Sequence, residues 1–266
     1  MQVFIRAEGP IVSQGRSRLQ QEWQTFWLAI SFLTRIPIPI KIDYSQRLMN
    51  NCSMYFPLVG LLLGLIYASA FTLFQYTFTP LVSVLAVIML HLSMTGAFHE
   101  DGLADSMDAL GGGYTLEDKL RIMKDSRIGT YGTIALIMAL ALKTALLLDS
   151  DTLWLALLVA PCVSRLTPLL LMRALPYVTT SDTSKTKPVA SGFPPDRLYF
   201  AVAFTAVVVV AAFDDQPELI VASLIATGGV GLIWGGYLKS RLGGYTGDTL
   251  GACVVLSELV LLAGMM

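Results

Sequence analysis

Residues 54–78 read MYFPLVGLLLGLIYASAFTLFQYTF, without a single charge. A helix rises about 1.5 Å per residue, so about 20 apolar residues cross about 30 Å of hydrocarbon. This stretch meets that requirement. Comparable runs follow at 81–98, 128–148, 152–172, 198–213, 218–238 and 250–266; those at 81–98 and 198–213 are short. Only helices or closed barrels satisfy their backbone polar groups in lipid, and runs of this length are helical. The expected fold is therefore all-α: a polytopic transmembrane helical bundle of about seven spans. Composition agrees. Of 266 residues, 55% are hydrophobic and 14% charged, with a mean hydropathy of +0.65. A soluble domain carries about 25% charge. A soluble domain, a disordered chain and a secreted disulfide scaffold are all excluded.

Earlier in the chain, Trp23–Ile40 is less clear. It contains Arg35 and ends in Ile36-Pro37-Ile38-Pro39-Ile40, where the prolines stop a helix. It reads as an interfacial or re-entrant helix. Residues 1–22 form an N-terminal extension, and 23–266 one membrane-embedded catalytic domain. Residues 1–20 carry Arg6, Arg16 and Arg18 with no apolar run before them, so no cleavable signal peptide is expected. Cys52, Cys162 and Cys253 are far apart and read as buried free thiols. A net charge of −1 offers no basic footprint, so nucleic acid is not an expected partner.

Basic residues set the orientation. Lys119, Arg121, Lys124 and Arg127 lie in 99–127; Arg173, Lys185, Lys187 and Arg197 in 173–197; Lys239 and Arg241 in 239–249. The opposite connections contain Asp149, Asp151, Asp214 and Asp215 and no Lys or Arg. The positive-inside rule puts the basic connections in the cytoplasm.

Those same connections hold the chemistry. Seven of nineteen acidic residues fall between 100 and 125. Asp101, Asp105 and Asp108, at i, i+4 and i+7, share one helical face. Like charges so placed repel unless cations sit between them, and hard oxygen ligands suit Mg²⁺. Glu100, Asp101, Asp105 and Asp108 are the expected metal ligands. Asp105, Asp108 and Asp125 are the expected catalytic carboxylates. Asp125-Ser126-Arg127-Ile128-Gly129 leads into a span whose first N–H groups would hold an anion. Gly247-Asp248-Thr249 opens the last span as a glycine-rich phosphate or metal turn, or simply as a helix cap. Arg165 lies well inside a run, where a cation is costly and functional by default. It is expected to clamp a phosphate, or else to pair with Glu258. Lys143 is expected to snorkel to the outer face. Arg127, Gly129, Arg165, Gly247, Asp248 and Thr249 form the expected substrate-binding set. His99 reads as a polar residue at a span end, not a zinc ligand.

Together these features fit metal-assisted attack of a hydroxyl on a diphosphate. The stretch Phe98-His99-Glu100-Asp101-Gly102-Leu103-Ala104-Asp105-Ser106-Met107-Asp108, followed by Lys124-Asp125-Ser126-Arg127-Ile128-Gly129-Thr130-Tyr131-Gly132 and Gly244-Tyr245-Thr246-Gly247-Asp248-Thr249-Leu250-Gly251, resembles the signature of the adenosylcobinamide-GDP ribazoletransferase (cobalamin-5′-phosphate synthase) family. The resemblance spans roughly 24–266. It implies a membrane enzyme of late cobalamin biosynthesis, a Mg²⁺-dependent transferase. Such an enzyme joins adenosylcobinamide-GDP to α-ribazole or α-ribazole 5′-phosphate. It releases GMP and gives adenosylcobalamin or its 5′-phosphate. Membrane lipid is the surrounding partner, and self-association into a homo-oligomer is left open. The alternative is a CDP-alcohol-type phospholipid phosphotransferase. Its DxxDGxxAR signature is broken here: Asp105-Ser106-Met107-Asp108 is followed by Ala109, and the later GxxxDxxxD is absent.

Overall fold

The structure, a computed structural model, describes residues 17–178 and 193–266. Most of the N-terminal extension and the centre of the 173–197 connection lie outside the described residues. Regular structure within them is helical, apart from one lone bridge between Tyr177 and Tyr245.

α1 (Arg18–Leu33) starts inside the stretch assigned to the extension, because Ser17 and Gln20 form a reciprocal capping box there. It is followed by chain without regular structure over 34–38, beginning with an extended Thr34, as the Ile-Pro repeat dictates. α2 (Gln46–Cys52) runs through a short 3₁₀ turn into α3 (Phe56–Phe74). Next come α4 (Pro80–Thr95), α5 (Phe98–Gly112), α6 (Leu116–Met123) and α7 (Thr130–Asp149). α8 (Leu153–Ser164) and α9 (Thr167–Ala174) make one span interrupted at Arg165 and Leu166. α10 (Pro195–Ala212), α11 (Pro217–Leu224), α12 (Val230–Leu242) and α13 (Gly247–Ala263) complete the bundle.

Among the described residues, five helical segments are long and apolar enough to cross a membrane: 46–74, 130–149, 153–174, 195–212 and 217–242. The protein is a multi-pass membrane protein. The run 81–98 is not a straight span of its own. α4 stops at Gly96, whose φ of +68° suits a glycine C-cap, and α5 leaves at 86°. α13 has 17 residues, or about 26 Å of rise, the lower limit for crossing. The picture of seven separate spans thus becomes five, a bent α4–α5 pair and α13. α5 and α6 occupy much of the stretch read as a cytoplasmic connection.

Helix contacts use small residues, because lipid tails leave little hydrophobic drive between spans. A methyl group on Gly60 would strike the Pro161 carbonyl, and one on Gly64 the Leu158 carbonyl. The GxxxG spacing therefore lets α3 lie directly on the α8 backbone. We expect Gly64→Ala to lower the detergent melting temperature by roughly 5 °C or more, since a backbone carbonyl cannot swing aside. Gly236, with open space around it, should tolerate alanine. Equal melting of the two variants would refute this account of the α3–α8 contact.

Where the α11–α12 span widens into a π-type turn at Ile225–Gly229, the Ser257 hydroxyl donates to the Ala226 carbonyl at 2.9 Å. Ser257 also meets the Thr167 hydroxyl at 2.8 Å. Backbone freed within the membrane is thereby partnered.

Candidate active site

The site is built where α5 crosses the first turns of α7 and α13. Gly102 and Gly251 bring α5 and α13 into backbone contact: a methyl on Gly102 would meet the Asp248 carbonyl, and one on Gly251 would meet the His99 backbone. This approach carries Asp248 to the α5 carboxylates. Asp105 lies in the field of Asp101, Asp248 and Asp108, and Asp248 in that of Asp101. Asp101 is exposed; Asp105 and Asp248 are half-buried. Among the described residues, no Lys or Arg forms an ion pair with any of these three.

Asp108 is placed differently. Its carboxylate accepts from the Gly129 N–H at 2.6 Å and the Gly132 N–H at 2.8 Å. The helix start expected to hold a substrate anion already holds this one. Negative charge suits that position, and the two glycines leave room for the carboxylate. Asp108 thereby ties α5 to α7.

Asp125 and Arg127 form their own fork near the surface, with the Arg127 guanidinium Nη2 donating at 2.6 Å. That hydrogen bond, with the Arg127 backbone N–H, holds the Asp125 carboxyl down at about 2. The Arg127 side chain is otherwise exposed.

Thr246 and not Asp248 caps α13. It forms a capping box in which the Thr249 hydroxyl accepts from the Thr246 N–H at 2.9 Å. Thr249 is fully buried, and its carbonyl accepts from the Trp234 indole at 3.0 Å. Gly247 has open space at its Cα. The Asp248 side chain is left free to face α5.

Glu100 turns away from the Asp face. At 100° per residue it points about a quarter-turn from Asp101. It is buried and accepts from His91 Nε2 at 3.0 Å, while His91 Nδ1 meets the Tyr67 hydroxyl at 3.1 Å. Two sequence expectations are corrected nearby. Lys143 does not snorkel: it is buried and donates to Glu258 at 2.9 Å. Arg165 therefore lacks Glu258 as its hydrogen-bonded partner. It is 1% exposed, donates from Nη1 to the Pro161 carbonyl at 2.8 Å, and keeps Nε and Nη2 without partners. His99 is also buried, with Nδ1 unpartnered. The three cysteines are free and buried, as expected.

Tyr67, His91, Lys143 and Glu258 were not assigned to the site from sequence. The available signal was their polarity inside apolar runs, which marks functional positions in a membrane.

No group of three or more His, Cys, Asp or Glu side chains among the described residues converges as a metal cage. Mg²⁺ does not need one. It keeps several waters and takes one or two carboxylates together with substrate phosphates. The hard oxygens of Asp101, Asp105 and Asp248 fit that donor chemistry.

The comparisons with known proteins meet this geometry from another direction. A family profile described as cobalamin-5-phosphate synthase matches residues 25–266. An adenosylcobinamide-GDP ribazoletransferase of Vibrio cholerae is 44% identical over 248 residues, 91% of this chain and 93% of the relative. One from Shewanella pealeana is 41% identical, covering 90% and 93%. One from Vibrio parahaemolyticus is 41% identical, covering 93% and 94%. No solved structure matches. The match takes in α5, the α7 entry and the α13 entry together, the three pieces that build the carboxylate face, and with identity at this level along nearly the full length the chain belongs to the cobalamin-5-phosphate synthase family.

Proposed function

We propose that this chain joins adenosylcobinamide-GDP to α-ribazole or its 5′-phosphate, with Mg²⁺, releasing GMP and forming adenosylcobalamin or its 5′-phosphate. The observation that carries this reading is the convergence of Asp101, Asp105 and Asp248 from two helices, with no basic ion-pair partner among the described residues. Such a face invites a cation and, through it, a diphosphate.

In this reading a ribose hydroxyl attacks the phosphorus bonded to cobinamide. The P–O bond to GMP breaks, and GMP leaves with the bonding electrons. Mg²⁺, when bound, would supply charge neutralisation for the diphosphate and the departing phosphate. Asp101 and Asp248 would hold the cation, through their hard oxygens. Asp105, surrounded by carboxylates, takes the hydroxyl proton, because a proton there relieves the most repulsion. Asp108 fixes the height of α5 against α7. Asp125 holds Arg127 at the rim, where the guanidinium faces an incoming phosphate.

The test is purified protein with adenosylcobinamide-GDP, α-ribazole and Mg²⁺, assayed for GMP. CDP-diacylglycerol with an alcohol acceptor is run beside it, assayed for CMP. GMP release supports the proposal; CMP release alone would replace it with the phospholipid reaction.

Arg165 retains two buried nitrogens, Nε and Nη2, without acceptors, which supports a substrate-phosphate contact. Arg165→Lys keeps the charge and loses the planar fork. We expect turnover to fall by about 10-fold or more with folding intact. Near-normal turnover would remove Arg165 from the substrate-binding set.

The reading also puts the carboxylate face toward the cytoplasm of the inner membrane. Cysteine placed at Thr115 should label only from inside, and at Asp149 only from outside, in intact cells. Outside labelling at 115 would invert the topology.

A further inference from the structure

We propose that Tyr67, His91 and Glu100 form a brace across the α4–α5 bend, and that Glu100 serves the reaction as a positioning residue through His91. The inference rests on the reading of the Asp face as the active site.

The bend concentrates unusual backbone. Gly96 and Ala97 are consecutive left-handed residues, with φ of +68° and +56°. A non-glycine residue in that region persists only where its surroundings impose it. The Arg35 N–H donates to the Met94 carbonyl at 2.7 Å, and its guanidinium packs against Gly96. His91 precedes the bend and Glu100 follows it, so their 3.0 Å hydrogen bond spans the two helices directly. Tyr67, from α3, anchors the other nitrogen of the same ring at 3.1 Å. All three side chains are buried. A neutral ring is enough for both contacts. With Nε2–H donating to the Glu100 carboxylate, Nδ1 is the acceptor of a neutral imidazole and the Tyr67 O–H is the donor that matches it.

Glu100 immediately precedes Asp101. Whatever fixes Glu100 fixes the rotation and height of α5, and with them where Asp101 and Asp105 stand opposite Asp248. Misplacing reacting groups by about 1 Å can cost about 10²-fold in rate.

The test pairs a distance with a rate. Spin labels on Leu85→Cys in α4 and Tyr114→Cys just beyond α5 report the bend in the full-length protein; both positions are exposed and the native thiols are buried. We expect a narrow distance distribution in the parent protein and a wider one in His91→Ala and Glu100→Ala. GMP release should fall about 10²-fold in both. Glu100→Gln keeps an acceptor for Nε2–H. It should restore the narrow distribution, most of the rate and the parental Mg²⁺ half-saturation.

Narrow distributions in both alanine variants overturn the brace. So does Glu100→Gln with a narrow distribution and a loss as deep as Glu100→Ala, since the charge itself would then be at work. If an alanine variant fails to fold, Tyr67→Phe carries the test: it removes one hydroxyl, and an unchanged distribution and rate overturn the proposal. Asp105→Asn is measured alongside. Widening without rate loss overturns the brace's role where Asp105→Asn is crippled. It overturns the reading of the Asp face itself where Asp105→Asn is equally harmless.

Discussion

Asp105→Asn should reduce GMP release by about 10²-fold or more while leaving the protein as stable as before, or slightly more so. The substitution is nearly isosteric, so packing between α5 and its neighbours is kept. What disappears is one negative charge from a group of carboxylates that act on one another. Removing a preorganised charge costs reactions of this kind about 10²–10³-fold. Removing one member of a self-repelling set relieves the resting protein. Activity and stability should therefore move in opposite directions. Asp248→Asn should behave the same way, because its side chain plays no part in the α13 capping box. Asp108→Asn should not, because each Asp108 oxygen accepts a backbone N–H. An amide presents a donor to one of them, so melting temperature should fall along with rate. A GMP assay across a Mg²⁺ titration, with detergent melting curves, separates the three. Parental rates and Mg²⁺ dependence in Asp105→Asn and Asp248→Asn would remove this face from the reaction.

The largest expected effect on stability lies deeper. Lys143 and Glu258 join α7 to α13 through a 2.9 Å contact with both side chains about 90% buried. Breaking a buried ion pair from one side costs about 3–5 kcal/mol, because the remaining charge loses its partner in a medium that cannot solvate it. Lys143→Met should thus melt far below the parent protein. Replacing both partners together, as Lys143→Met with Glu258→Leu, should recover most of the loss, since well-packed apolar residues often match such a pair. If the double variant melts no higher than the single, the pair is not what holds α7 to α13.

The sequence exposed the helical class, most of the apolar runs that become helices and the acidic face of α5, because each depends on local signals: run length and i, i+4 spacing. It misplaced what depends on tertiary partners. Nothing in Gly129–Gly132 announces that Asp108, twenty-one residues upstream, fills the helix start. Lys143 reads as outward-facing because its distance to the span end allows snorkelling; only the position of Glu258 on α13 turns it inward. The α4–α5 bend reads as continuous apolar sequence until Gly96, and one glycine does not predict an 86° turn. The close approach at Gly60 and Gly64 depends on its partner surface, the α8 carbonyls, which no local pattern in α3 specifies.

The span formed by α8 and α9 is 89% buried, against 17–44% for the other four. A helix so enclosed has almost no lipid contact, yet it emerges from the ribosome well before α13, one of the helices that encloses it. During synthesis Leu153–Ala174 can pack on α3, which precedes it, but the face that α13 covers must wait in the bilayer unclaimed. Arg165 at its midpoint, with N–H groups unpartnered even in the finished protein, makes that wait costly. Closure comes only when α13 slots between α5, α7 and α8, and the same event delivers Asp248 to the α5 carboxylates. Closure of the bundle and convergence of Asp248 with the α5 carboxylates are thus one event, and under the proposed function a nascent chain gains activity only once α13 is in place.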